Sequence, residues 1–269
     1  MPDTPDPQLV QAAQDRLARD PGRIVSLDFC GARYVIKRVR EKARSRHQQW
    51  AIRVLCRTFF PFLTAPGNAP PRDGWYEMER VRALQTLGQP VPQVVAQLPD
   101  AVMYSHCGEN VEHTLREQDP AARRATLEAV TRNLATFHRA GCWHGGAQLR
   151  NVLFDGQHFY RVDFEEDLDR VLSLELAQVY DLFQHLADAT TWAAGDDTAE
   201  SLGRDLLVLY QAEHWSPRHT RALRGVARLL APFRWLGPWL DNARSRDVRR
   251  SVAMARVTRE GIRRGPRKH

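Results

Sequence analysis

The feature that most constrains the fold of this chain is the stretch at 144–165. It opens with His144, two glycines follow directly, and Asn151 comes seven residues after the histidine. Two short apolar runs come next, and Asp163 stands at the end of the second run. Short apolar runs on either side of a polar turn predict a hairpin. The stretch therefore predicts a polar loop, then a hairpin, then a carboxylate at a strand end.

Asn151 and Asp163 are the side chains of this stretch that suit a metal ion. An amide oxygen and a carboxylate are hard ligands of the kind that Mg²⁺ prefers. Their separation of twelve residues allows a tight hairpin between them. The alternative is that a turn asparagine and a strand-end aspartate each cap the backbone. We expect His144 to be a structural hub of the loop rather than an acid or a base.

A lysine and a glutamate further upstream form a second predicted pair. Lys37 ends the run Tyr-Val-Ile-Lys, in which alternation predicts a strand with Val35 and Lys37 on one face. Glu77 lies at the start of a helix predicted over 75–87, on the face of its apolar residues. An inward carboxylate requires a cation, and Lys37 is the natural partner.

Asp181 lies in an otherwise apolar predicted helix near 174–188. A buried carboxylate needs hydrogen-bond donors. The backbone amides of the loop that starts at His144 could supply them, so we expect a structural role for Asp181.

The order of elements predicts an α+β fold with two lobes. Strands with helical insertions extend to about residue 105, and mostly helical segments with one hairpin follow, which differs from the βα alternation of a parallel sheet. We predict an N-lobe at 1–105, a helical C-lobe at 106–241 and a basic tail at 242–269.

Composition narrows the classes of protein further. The four cysteines form no CxxC pair, which argues against a disulfide framework or a zinc site. No signal peptide is visible, and the apolar stretches at 54–64 and 229–240 are too short to span a bilayer. We therefore expect a cytoplasmic protein without a transmembrane segment.

The net charge of +7 is unevenly distributed. Residues 37–57 hold eight Lys/Arg and one Glu, and residues 242–269 hold ten Lys/Arg and two acidic residues, so the rest of the chain is acidic. Such patches favour an anionic partner: a membrane face, a phosphorylated glycan or RNA. The alternative is a solvated helix face and a loose tail.

Taken in order, these residues resemble the protein-kinase-like superfamily. Within it they are most similar to the bacterial branch of lipopolysaccharide core sugar kinases (Kdo and heptose kinases) and aminoglycoside-phosphotransferase-like proteins. The matching segments are 34–37, 76–92, 101–108, 134–151, 151–165 and the Asp181 helix.

The resemblance implies a two-lobed kinase-like fold with ATP and Mg²⁺ as cofactors. Lys37 paired with Glu77 would contact the nucleotide phosphates, and Asn151 and Asp163 would hold Mg²⁺. His144, Gly146 and Asn151 fall on the catalytic loop. A hinge segment near the adenine would comprise Met103, Tyr104, Ser105 and His106.

Two features depart from the pattern of the superfamily. Gly146 occupies the position of the catalytic Asp, two residues after the histidine. A general base typically contributes about 10²–10⁴-fold, so its loss would slow phosphoryl transfer without necessarily abolishing it. In addition, no Gly-rich phosphate loop precedes Lys37, where Gly22 and Gly31 are the nearby glycines.

Three functions remain open at this point. The first is an ATP-dependent kinase that acts on a sugar or lipid-linked acceptor at the cytoplasmic face of the inner membrane, with peripheral contact to anionic lipid. The second is a pseudokinase, a nucleotide-binding regulatory module without turnover. The third is an atypical kinase of protein or RNA substrates, which ranks last because no base-reading motif is visible.

Overall fold

The computed structural model describes residues 5–39, 75–166, 172–195, 198–229, 231, 254–260 and 262. These residues form two compact units. The first unit comprises 5–39, 75–109 and 153–165, and the second comprises 110–152, 166 and the described residues from 172 onward. Most of the basic segment 37–57, the proline-rich connector after it and most of the tail at 242–269 lie outside the described residues.

The first unit is built on an antiparallel sheet of four strands in the order β1-β2-β4-β3. Its elements are α1 (Pro7–Arg19), β1 (Ile24–Phe29), β2 (Ala32–Arg38), α2 (Tyr76–Thr86), β3 (Val94–Gln97) and β4 (Ala101–Ser105). Helix α1 packs its buried residues Leu9, Ala13 and Leu17 against this sheet. The core of the unit therefore lies between α1 and one face of the sheet.

A two-residue turn joins β1 to β2 and leaves no room for a phosphate-covering loop there. Phe29 pairs with Ala32, so the turn consists of Cys30 and Gly31 alone. Both have positive φ, 49° and 79°, the backbone conformation that suits tight hairpin turns. Strands β1 and β2 therefore pair directly on either side of this turn.

Strand β2 separates the core of the first unit from its polar side. The side chain of Ile36 is fully buried among the residues that pack on α1. Because strand side chains alternate, Lys37 lies on the opposite face. Helix α2 buries Met78, Val81 and Leu84, and Glu79 is exposed, as the helical pattern predicts.

The strands β5 (Glu109–Asn110), β6 (Val152–Phe154) and β7 (Phe159–Arg161) form a second sheet in that order. The hairpin of β6 and β7 confirms the prediction for this stretch, with one difference at its end. Strand β7 stops at Arg161, before the predicted end at 163. Asp163 has a φ of 70°, and a residue in the left-handed region cannot continue an extended strand.

The second unit is helical. Its helices are α3 (Val111–Glu117), α4 (Pro120–Arg139), α5 (Leu174–Ala189), α6 (Ala199–Glu213), α7 (Pro217–Leu229) and α8 (254–260). Helix α4 packs against α6, and α5 packs against α7. The N-terminal sheet and the mostly helical C-terminal part together confirm the α+β fold class.

Helix α4 illustrates how the sequence specifies these elements. The side chain of Asp119 accepts a hydrogen bond from the Ala122 amide, and Pro120 occupies the first turn. Leu127, Val130 and Leu134 are almost completely buried, and each contributes about 1.5–3 kcal/mol by leaving water. Among the described residues, no helix combines the length and apolar character that crossing a membrane requires.

Candidate functional site

The first unit brings Lys37 and Glu77 together as the sequence predicts. The Lys37 ammonium (Nζ) lies 2.8 Å from Oε1 and 2.7 Å from Oε2 of Glu77. Strand β2 supplies the lysine and the first turn of α2 supplies the glutamate. Both side chains are mostly buried, at 12% and 15% exposure, so solvent screens this ion pair less than a surface pair.

Two further carboxylates reach the same ammonium. Asp163 Oδ1 lies 2.6 Å from Lys37 Nζ, and Glu165 Oε1 lies 3.1 Å from it. Glu165 also forms an ion pair with Arg23, which precedes β1. The completely buried Phe164 lies between the two acidic residues in sequence and faces the guanidinium of Arg80. The sequence patterns did not indicate the ion pairs that Glu165 makes with Lys37 and Arg23.

The carboxylates of Glu77, Asp163 and Glu165 fit a divalent cation. One oxygen from each lies within 4.8 Å of the others. Oxygen donors of this kind suit Mg²⁺. The three carboxylates together carry three negative charges, and Lys37 and Arg23 supply only two positive charges beside them. Asn151, the other predicted metal ligand, belongs to the second unit, and its joint ligation with Asp163 remains a prediction.

The predicted hinge residues lie at the end of β4. Met103 is fully buried, and burial raises the pKa of the Tyr104 hydroxyl. The Ser105 amide donates to the Gln93 carbonyl at 2.9 Å, and the His106 amide donates to the Arg33 carbonyl at 3.2 Å. Both amides are thus engaged within the first unit, and their contact with adenine remains a prediction.

In the second unit, the buried carboxylate of Asp181 holds the start of the loop that begins at His144. The amides of His144 and Gly145 donate to the two oxygens of Asp181, at 2.5 and 2.6 Å. This confirms the structural role expected for Asp181. The His144 ring is itself buried, and its Nδ1 accepts from the Gly146 amide at 2.9 Å, so His144 is the hub of the loop.

Asp181 remains ionised although it is completely buried. Burial alone would raise the pKa of this carboxyl group. The hydrogen bond and the charge of His138, together with the His144 amide, outweigh the burial and hold the pKa of Asp181 below its usual value. His138 in turn contacts the Tyr210 hydroxyl at 2.6 Å. The sequence patterns did not single out His138 or Tyr210.

One face of α5 supplies most of the groups that hold this loop. The Gln178 side chain donates to the carbonyls of His138 and Cys142, and Asp188 accepts from the Leu149 amide. Positions 178, 181 and 188 share one side of a helix. Polar residues at this spacing in an apolar helix are the signal that would have identified Gln178 and Asp188.

Asn151 and Gly146 meet at the end of the loop. Asn151 is nearly buried, and its Nδ2 donates to the Gly146 carbonyl at 2.8 Å. Its Oδ1 makes no hydrogen bond with any residue that the structure describes. A Cβ atom at position 146 would lie 3.3 Å from Asn151 Nδ2 and 3.5 Å from His144 Nδ1. The loop therefore accommodates a side chain there with a small adjustment.

Comparison with known proteins identifies two curated relatives over a short segment. Over 64 residues the chain is 38% identical to the 3-deoxy-D-manno-octulosonic acid kinase of Xanthomonas axonopodis pv. citri (strain 306). The match to the protein of the same name from Xanthomonas euvesicatoria pv. vesicatoria (strain 85-10) is equally long and equally identical. Each covers 23% of this chain and 26% of the relative, so the matched part spans about a quarter of these proteins.

Two solved structures align with most of the chain at low similarity. One is a candidate aminoglycoside phosphotransferase from Ralstonia eutropha JMP134, with a TM-score of 0.41, 13% identity, and coverage of 97% of this chain and 99% of the other. The other is the MAP kinase LMAMPK10 from Leishmania major, with a TM-score of 0.34, 13% identity, and coverage of 93% and 86%. No protein-family profile matches this chain.

Proposed function

We propose that this protein is a kinase-like phosphotransferase that transfers the γ-phosphoryl group of ATP to a hydroxyl group of a sugar. In this reaction the new bond joins the acceptor oxygen to the γ-phosphorus, and the hydroxyl proton passes to water. The bond between that phosphorus and the β–γ bridging oxygen breaks, and ADP leaves. Phosphoryl transfer depends mainly on positioning and on neutralisation of charge. The chain offers groups suited to both.

The observation that carries the proposal is the environment of Lys37. A lysine held at 2.6–2.8 Å by Glu77 and Asp163 has a fixed ammonium group. A fixed ammonium can bind the α and β phosphates without losing further side-chain freedom. When bound, Mg²⁺ would neutralise phosphate charge, with Asp163 as a ligand and Glu165 or Asn151 as further oxygen donors.

The hydrogen bonds that fix the loop at 144–151 in the second unit also support the proposal. The buried Asp181 fixes the amides of His144 and Gly145, and Asn151 is tied to the Gly146 carbonyl. Such a loop holds the Asn151 Oδ1 atom in a defined place. Position 146 offers no carboxylate, so the acceptor hydroxyl has no general base there, and we expect slow turnover.

The curated relatives favour a sugar acid as the acceptor. Both are 3-deoxy-D-manno-octulosonic acid kinases, and we propose a related sugar, free or lipid-linked, for this protein. A lipid-linked acceptor would locate the enzyme at the cytoplasmic face of a membrane, in peripheral contact with anionic lipid.

Transfer of radiolabelled phosphate from γ-labelled ATP to 3-deoxy-D-manno-octulosonic acid, free and lipid-linked, tests this function. The purified protein should label at least one acceptor in the presence of Mg²⁺, and Asp163→Asn should abolish labelling. Asp28→Asn is the matched control, because Asp28 forms an exposed ion pair with Arg33 on the same sheet. Absence of labelling together with absence of Mg·ATP binding would refute the proposal.

Gly146 favours one alternative, a nucleotide-binding module without turnover. This alternative predicts binding of ATP and no transfer to any acceptor. It is refuted if the native protein turns over and Asp163→Asn removes that turnover.

A further inference from the structure

Helix α7 presents a row of arginines on one side. Its buried residues include Ala222, Leu223 and Val226, which pack toward the interior of the second unit. Arg218, Arg221, Arg224 and Arg228 are all exposed, and the helix contains no acidic residue. At 100° per residue, the last three fall within an arc of about 60°, and Arg218 lies about 60° beyond that arc. The helix is therefore amphipathic with a cationic outer face.

Three arginines of this row have no partner among the described residues. Arg218 forms an ion pair with Glu175 of α5 at 3.0 Å. Arg221, Arg224 and Arg228 make no ion pair or side-chain hydrogen bond within the described part of the chain. Several other arginines of the second unit have acidic neighbours, among them Arg116 with Glu112, Arg124 with Asp205, and Arg139 with Glu213.

The spacing of the row suits several phosphate groups at once. At a rise of 1.5 Å per residue, Arg221 and Arg228 are about 10 Å apart along the helix axis. Guanidinium groups bind phosphate oxygens through charge-assisted hydrogen bonds. A flat array of phosphates complements three cations on one helix face better than a single anion does.

We propose that α7 is a docking face for the surface of an anionic phospholipid bilayer. The apolar face of α7 packs inside the second unit, so contact with the bilayer would be electrostatic, through attraction of the arginine row to the negative surface potential of anionic lipid. The cationic face of α7 carries no aromatic side chain, the group on which proteins stack the bases of single-stranded nucleic acid, so the row favours lipid headgroups over RNA. The inference deepens the membrane-face part of the proposed function and rests on that part.

Vesicle binding without nucleotide or acceptor tests the inference separately from catalysis. The full-length protein is titrated with vesicles of phosphatidylglycerol mixed with phosphatidylcholine, and with vesicles of phosphatidylcholine alone. We expect binding to the anionic vesicles only. Each basic residue near such a surface contributes roughly fivefold to the affinity, so R221Q/R224Q/R228Q should weaken binding roughly 100-fold. The variant R221K/R224K/R228K should retain most of the affinity.

The matched control is R19Q/R82Q/R259Q, which removes the same charge from exposed positions on α1, α2 and α8. It should weaken vesicle binding by less than roughly tenfold. Equal losses for both glutamine triples would overturn the inference, because net charge and not this face would then govern binding. The variant R221Q/R224Q/R228Q is called the α7 triple below. The inference would also be overturned if the native protein bound an RNA oligonucleotide tightly and the α7 triple lost that binding but kept vesicle binding.

The catalytic assay separates the two proposals. If the docking face is correct, the α7 triple should phosphorylate a free sugar acceptor like the native protein and a vesicle-embedded acceptor more slowly. Native transfer to both acceptors, with no loss of vesicle binding in the α7 triple, would overturn the docking face and leave the phosphotransferase proposal standing. Vesicle binding that depends on α7, with no transfer to any acceptor, would overturn the phosphotransferase proposal and leave the docking face standing.

Discussion

The buried carboxylate of Asp181 accepts a hydrogen bond from the backbone amide of His144 at 2.5 Å. A second amide, from Gly145, occupies the other oxygen of the same carboxylate. Gly145 has a φ of 90°, and a Cβ at this position would lie 2.6 Å from the Cβ of Glu166, so the loop requires glycine there. A helix side chain thus fixes the start of the loop that carries Gly146 and Asn151.

Replacement of this carboxylate should destabilise the second unit. In Asp181→Asn, an NH₂ group would face one of the two amides, and a buried donor would lose its acceptor. Because hydrogen bonds to a charged group are worth about 1.5–3 kcal/mol each, we expect the free energy of unfolding to fall by about 3 kcal/mol. Urea denaturation measures this change, and hydrogen exchange at residues 144 and 145 should accelerate.

Asp205→Asn is the control for that substitution. Asp205 is half exposed and pairs with Arg124 on the surface, so its loss should cost less than about 1 kcal/mol.

Because the pKa of Asp181 is lowered in the folded state, its contribution is present above its unfolded pKa of about 3.9 and is lost as the pH falls through the folded value. An unchanged unfolding energy in Asp181→Asn would contradict the role of this carboxylate.

His219 should make the stability of the second unit sensitive to mild acid. Burial, followed by the neighbouring charges of His214 and His138, lowers the pKa of His219 from 6.5 to about 4. Between pH 4 and 6.5 the unfolded chain binds a proton that the folded chain excludes, so stability rises with pH over this window and is constant above it. Over this window the titration of His219 changes the free energy of unfolding by at most about 3 kcal/mol.

Urea denaturation at pH 7 and pH 5 measures this effect. In the native structure His219 Nε2 lies 2.8 Å from Gln178 Oε1, and His219→Gln retains a donor for that contact while it removes the titration. The difference between the two pH values should shrink in His219→Gln and persist in His158→Gln, since His158 is exposed. An equal difference in all three proteins would assign the acid sensitivity to other groups.

Removal of the Lys37 ammonium should abolish nucleotide binding. A ligand at one hundred times its Kd stabilises the native state by about 2.7 kcal/mol, which raises the melting temperature measurably. We expect Mg·ATP to raise the melting temperature of the native protein and to leave that of Lys37→Met unchanged. Arg33→Met is the control on the same strand, because Arg33 forms only an exposed pair with Asp28. A full Mg·ATP shift in Lys37→Met would place the nucleotide elsewhere.

A carboxylate at position 146 should increase the rate of transfer. A Cβ at this position would lie 3.3 Å from Asn151 Nδ2, a tight contact that a shift of a few tenths of an ångström relieves. We expect Gly146→Asp to raise kcat roughly 100-fold, the lower end of the range for a general base. Gly146→Asn, which has the same shape and no basic group, should not raise it. Equal effects of the two substitutions would exclude general-base catalysis at this position.

Local patterns determined the elements of this protein. The periodicity of Leu127, Val130 and Leu134 and the cap at Asp119 predict α4, because helix periodicity and capping depend on neighbouring residues alone. The hairpin at Cys30-Gly31 also depends on neighbouring residues alone, because a short turn between two strands with alternating side chains is enough to predict it. The pair of Lys37 and Glu77 was also predictable, because each side chain lies on a definable face of its own element.

Other features were decided by tertiary structure alone. Glu165 and Arg23 are far apart in sequence and meet beside Lys37, and no local pattern indicates their ion pair. Local patterns likewise did not indicate that β7 ends at Arg161, that Asp163 has a left-handed φ, or that Asp163 pairs with the distant Lys37. The sequence by itself specified the helices, the strands and the loop from His144 to Asn151. The tertiary structure decided which distant charges neutralise one another, because the energy of a buried charge depends on partners that the chain brings together only on folding.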